Sequence, residues 1–166
     1  MGGAGAVGGA GGHAGATPSG GAGGVGGEAL GGAGGAGGAV ASYCAADLED
    51  ELAPVVEGLL YMSESDRPFE PFVVADDATG PISMAHMLEL LALPADTVIE
   101  EWTFDQFFTD YLLGQDERYA QMRTILEERM SETTVFRVNL IAIDVYLVGR
   151  TECGEVAGLH TVAIET

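Results

Sequence analysis

The first forty residues set the strongest limit on this chain, because 20 of them are Gly and 10 are Ala. Such a segment carries almost no side chain to bury. Gly loses the most backbone freedom on folding, and Ala returns little apolar area for it. The Gly spacing is irregular and Pro18 is the segment's only proline, which excludes a collagen-like repeat. Residues 1–41 are therefore expected to be disordered, as a flexible tether or as the product of a mis-set start. The folded domain is expected over residues 42–166, which hold only six of the 26 glycines. A piece of that size buries roughly two-thirds of its unfolded surface and folds without staples.

The charge is one-sided. Six bases, all Arg, face 26 acids, for a net charge of −20, and only Glu28 of those acids falls in the first forty residues. Repulsion from phosphates argues against nucleic acid or an anionic membrane as partner. A basic partner, metal ions or solubility at high salt fit better. The two cysteines, Cys44 and Cys153, form no CxxC, which excludes a zinc ribbon or a thioredoxin-like motif. One disulfide is arithmetically possible, but two reduced thiols in a cytoplasmic protein are the expectation. No stretch approaches the roughly 18 apolar residues of a membrane span. The start lacks the basic and Leu/Val-rich regions of a signal peptide, and Ala6 stands where a myristoylation start wants Ser or Thr.

Within the folded part, Leu48, Leu52, Val55, Val56, Leu59 and Leu60 recur at helical steps, with Asp47, Glu49, Asp50 and Glu51 off the stripe. Pro54 should kink or restart that helix. Ser63 to Pro68 reads as a polar loop, and Phe69 to Val74 as a strand whose Pro71 argues for an edge. Ile82 to Leu93 reads as a helix with Met84, Met87, Leu88 and Leu91 on one side, followed by a strand over Thr97 to Trp102. A short helix is expected over Phe104 to Leu113. A longer one over Asp116 to Met130 carries a stripe of Tyr119, Met122, Ile125, Leu126 and Arg129. Val135 to Val138, Ile141 to Val148 and Val156 to Ile164 are β-branched strands. A tight turn at Asn139-Leu140 would pair Arg137 with Ala142 and put Asp144 on the face of Arg137, a structural ion pair. The Glu152-Cys153-Gly154-Glu155 stretch reads as a second turn. Long apolar runs imply that both faces of the sheet are covered. The pattern is α/β (α+β type): a three-layer α/β/α sandwich with a mainly antiparallel central sheet.

Catalytic signals are absent. His13, His86 and His160 make no HExxH or His/Cys cluster, and Ser83 and Ser131 have no GxSxG context. A phosphate-binding GxxxxGK[ST] loop is impossible without Lys. Two places remain. Glu64 is presented between Ser63 and Ser65 on a loop, and Glu165-Thr166 ends the chain directly after a strand. A carboxylate on a rigid mount can imitate a phosphate or ligate a hard metal ion.

These stretches resemble a known family. The likeness runs through Gly58-Leu59-Leu60-Tyr61-Met62-Ser63-Glu64-Ser65 with Pro68-Phe69-Glu70, then Phe104-Asp105 with Phe107-Phe108, and Val135-Phe136-Arg137. It continues through Asp144-Val145-Tyr146-Leu147-Val148-Gly149 and Ala157-Gly158-Leu159 and closes on Glu165-Thr166. The chain resembles the nuclease A inhibitors of the cyanobacterial type over about residues 45–166. The resemblance implies the same three-layer sandwich and a protein plug for a non-specific DNA/RNA endonuclease of the ββα-metal type. It implies that Glu64, flanked by Ser63 and Ser65, enters the nuclease active site, and that Thr166 reaches the nuclease's catalytic Mg2+. The inhibitor then needs no metal or cofactor of its own. The family also uses an acidic residue beside a tryptophan ahead of the long helix. Here that region is shorter and Trp102 lies upstream, so Asp110, Tyr111 and Asp116 are weaker candidates. The resulting expectation is a cytoplasmic, monomeric, non-enzymatic nuclease inhibitor. The alternative is an acidic binding module of the same fold with another basic partner.

Overall fold

A computed structural model describes residues 42–109 and 115–165 of the protein. The expected tail, residues 1–41, lies outside the described residues, as do Asp110, Tyr111 and Thr166. In chain order the elements are α1 (Ala45–Val56), β1 (Leu60–Tyr61), β2 (Arg67–Pro68), β3 (Glu70–Val74), α2 (Met84–Leu90) and β4 (Ile99–Trp102). They continue with α3 (Phe104–Phe107), α4 (Glu117–Arg129), β5 (Ser131–Val138), β6 (Ala142–Arg150) and β7 (Val156–Ile164).

Helix α1 starts where acids meet free backbone N–H groups. Cys44 N–H donates to the Asp47 carboxylate at 2.9 Å, and Ala45 N–H to Glu155 at 2.7 Å. Leu48, Leu52, Val55 and Val56 then turn to the core. Pro54 sits in the last turn, and the helix ends two residues after it. Gly58, at φ +69°, makes the turn that follows. The apolar stripe therefore stops earlier than its spacing suggests. Leu59 is buried outside the helix, and Leu60 enters β1. Helix α4 is capped by the Asp116 side chain and buries Tyr119, Met122, Ile125 and Leu126. Arg129, the last member of its expected stripe, points out instead. It pairs with Glu51 of α1 at 2.9 Å and lies over the Tyr43 ring.

The main sheet has the order β3-β7-β6-β5-β4 with every pairing antiparallel. Pro71 sits in β3, an edge strand, as its missing N–H requires. One face, with Val135, Val145, Leu147, Leu159 and Ala163, packs under α1, α3 and α4. The other face, with Phe136, Val148 and Val156, packs under Met87 of α2 and Ile82. Both faces are thus covered, and the layers are three. The second helical layer is thin, because α2 spans only seven residues and Met84 at its start is exposed rather than core-facing.

Two further expectations fail. The β5–β6 connection spans Asn139–Ile141 rather than two residues, so Arg137 faces Val145 and Val138 faces Asp144. The offset from the expected register is odd, which puts Arg137 and Asp144 on opposite faces. Arg137 pairs with Glu100 and Glu165, and Asp144 with His160. The cysteines are not reduced thiols. Cys44 and Cys153 form a disulfide across 5.2 Å between Cα atoms, because the β6–β7 turn returns to the start of α1. Tyr43 and Glu152 exchange further hydrogen bonds beside it.

Candidate functional site

Helix α1 packs along β7, starting beside the β6–β7 turn, where Glu155 caps Ala45. Gly58 then breaks it near the far end of β7. The 58–66 loop is thereby delivered to that end, next to the last residues of the chain. Three hydrogen bonds fix it there. Glu64 N–H donates to the Ile164 carbonyl at 3.3 Å, and Ile164 N–H donates to Ser63 Oγ at 3.2 Å. Ser63 Oγ also donates to the Ser65 carbonyl at 3.0 Å, closing the loop on itself. Ser63 is half-buried and acts as the knot of the loop, while Glu64 is exposed. The structure thus sets the Glu64 loop beside Ile164 and Glu165, while Thr166, the other residue singled out there, lies outside the described residues.

Strand β7 is an interior strand, hydrogen-bonded by β3 on one side and β6 on the other. Glu165 N–H still donates to the Ile141 carbonyl at 3.0 Å, one residue beyond the strand. Its carboxylate accepts from Arg137. Arg137 is buried beneath it, 4.3 Å from the Trp102 ring centre and 3.2 Å from Glu100. Sequence reasoning misses this anchor, because a two-residue hairpin turn sends Arg137 to the wrong face. The available signal is Arg137 itself, a lone cation among apolar strand residues.

Asp116 is brought to the same region. It lines an open concavity of about 280 Å³ together with Leu60, Met62, Asp66 and Tyr119. Its carboxylate is engaged internally, however, by the side chain and backbone of Arg118, which hold its pKa below the usual carboxylate range. Arg118 also donates to the Glu57 carbonyl at 2.9 Å, and Tyr119 donates to the Leu60 carbonyl. Asp116 therefore buttresses the base of the 58–66 loop.

The structure forms two His–Asp pairs, His86 with Asp76 at 3.2 Å and His160 with Asp144 at 3.0 Å. In each pair the ring nitrogen meets a carboxylate oxygen. Asp76 is a structural hub. Burial pushes its pKa up, but the Ala78 N–H, Arg150 and His86 outweigh this and hold it below the ordinary value. Among the described residues one group of potential metal ligands, Cys44, Cys153 and Glu155, lies close together, but the disulfide occupies both sulfurs. Acidic side chains occur on α1, α2, α4 and most loops, not only around Glu64. Five of the six arginines pair with internal carboxylates, which leaves the surface strongly anionic. No helix among the described residues is long and apolar enough to cross a membrane.

Comparison with known proteins points to a family. A family model described as nuclease A inhibitor-like protein matches residues 46–166. No curated protein matches the chain. The match covers the whole sandwich, from α1 through the end of β7, and the chain belongs to the nuclease A inhibitor-like family.

Proposed function

We propose that the protein inhibits a non-specific, Mg2+-dependent DNA/RNA endonuclease of the ββα-metal type by occupying its active site with the Glu64 carboxylate and the C-terminal residue, Thr166. The observation that carries this reading is the hydrogen-bonded union of the Glu64 loop with the end of β7. It holds the exposed Glu64 beside Ile164 and Glu165, the residues that lead to Thr166. A nuclease of this kind needs a basic cleft that accepts phosphodiesters, and a chain of net charge −20 is steered toward it. Acids spread over the whole surface fit solubility at high salt as well as general steering, so the reading rests on the presented groups for its fit. Glu64 and the chain end offer oxygen donors only, which suits Mg2+ held by the nuclease. The chain itself acts as a binding protein rather than an enzyme, and as a monomer. The disulfide is the observation that weighs against the expected cytoplasmic setting, since such bonds persist in oxidising compartments.

The test is plasmid digestion by a ββα-metal nuclease with Mg2+ and increasing amounts of the full chain. The native protein is expected to stop cleavage at stoichiometric amounts. Glu64→Gln should leave the melting temperature unchanged and weaken binding by about 2–5 kcal/mol, as for a desolvated charged contact. Undiminished inhibition by Glu64→Gln would remove Glu64 from the mechanism.

A further inference from the structure

The β5–β6 turn carries two apolar residues that the turn does not need. Asn139 takes the left-handed conformation, φ +76°, which Asn tolerates better than most residues. Leu140 and Ile141 could then be polar at no conformational cost, as turn residues usually are. They are instead 64% and 67% exposed, the highest values among the large apolar side chains of the described residues. Single exposed apolar residues need no explanation, but clustered ones mark contact surfaces.

These are clustered. Leu60, Met62, Val98, Leu140 and Ile141 are five of the seven exposed large apolar residues described, and hydrogen bonds bring the segments of Met62, Val98, Leu140 and Ile141 together around the finish of β7. Asn139 N–H donates to the Val98 carbonyl at 2.9 Å, which places Val98 beside the hairpin tip. Glu165 N–H donates to Ile141, which places the tip beside the chain end. Glu64 and Met62 lie on the other side of that end, on the loop tied to Ile164. An acidic centre thus stands between two apolar shoulders.

We infer that Leu140 and Ile141 form a second docking element, which seats on apolar surface beside the basic, metal-bearing cleft of the inhibited nuclease. This rests on the inhibitory function proposed above. The anchors flank the charged centre as apolar contacts flank the polar heart of tight interfaces, where they exclude water from it. Charge decides the occupant. A second copy of this chain would bring Glu64, Asp66, Glu100 and Glu165 against the same acids, whereas a basic cleft complements them.

The experiment compares the full-length Leu140→Ser/Ile141→Ser variant with Glu64→Gln and with two controls on exposed apolar residues elsewhere, Val73→Ser and Met84→Ser. Inhibition of a ββα-metal nuclease, dissociation rate, melting temperature and sedimentation are measured for each. The tip variant should melt as the native chain does, bind about 10–100-fold more weakly and dissociate correspondingly faster. The two controls should bind like native. A tip variant of native affinity, alongside a weakened Glu64→Gln, overturns the docking element and leaves the inhibitory function standing. Failure of the native chain to inhibit overturns both. A native dimer that the tip variant abolishes reassigns the patch to self-association and overturns it as well.

Discussion

Arg137 shows how much one side chain can hold in place. Its guanidinium lies over Trp102, and its two terminal nitrogens reach Glu100 and Glu165. The arginine is buried while both carboxylates are about half exposed, so the pairs are stronger than surface ion pairs and avoid full burial of both charges. In urea unfolding, a double-mutant cycle of Arg137→Ala with Glu165→Ala is expected to show coupling of about 1–3 kcal/mol. The same cycle with Asp144→Ala should be additive within about 0.5 kcal/mol, because the two residues are on opposite faces. Asp76 makes the comparable argument for pH. Its folded pKa is lowered, so its stabilising contribution is full above the unfolded value near about 4 and is lost as pH falls through the folded value. Asp76→Asn removes that contribution and leaves Arg150 short of a partner 2.9 Å away. The variant should lose about 3 kcal/mol at pH 7. Its urea midpoint should then fall less steeply below pH 4 than that of the native chain.

At the scale of elements, spacing is informative wherever one face of a helix is buried. The stripe Tyr119, Met122, Ile125 and Leu126 locates α4 because those four residues meet the sheet. Pro71 locates an edge strand, because a missing N–H is tolerated there. Spacing fails where a single residue shifts a register. The turn after β5 is longer than the Asn139-Leu140 pair suggests, and that alone hides the Arg137–Glu165 contact. It fails again at α1, where nothing in the apolar stripe distinguishes the helical position of Val56 from the strand position of Leu60; only Gly58 marks the break. The motif singles out Glu64, but its attachment to Ile164 is a contact between residues a hundred positions apart. Gly158 shows what β7 demands of its sequence. It holds φ +149°, and a Cβ there would lie 1.9 Å from the Leu147 carbonyl oxygen. Gly158→Ala must therefore push β7 away from β6. A loss of at least about 3 kcal/mol is expected in urea unfolding, since both the backbone conformation and the strand spacing are violated.

For the molecule as a whole, the Cys44–Cys153 bridge closes a loop across a separation of 109 residues, enclosing everything from α1 to the β6–β7 turn. On the chain-entropy account a closure of that length restricts the unfolded state by about 4–5 kcal/mol. Treatment with a thiol reductant, or a Cys44→Ser/Cys153→Ser chain, should lower the urea midpoint by a corresponding amount. An unchanged midpoint would show that the packing of α1 against α4 and β7 is sufficient alone. Strand β7 lies outside this covalent ring, yet it carries the presented end. The bridge and Tyr43 sit at its start, whereas Glu64 and Glu165 sit at its finish. Nine residues at about 3.3 Å each separate the two by roughly 30 Å. The folded unit is therefore polar in the sense of a handle and a tip. Coupled to a sensor chip through residue 42, it turns its tip to the solution and should capture its nuclease. Coupled through the C-terminus, the same molecule faces the chip and should capture none.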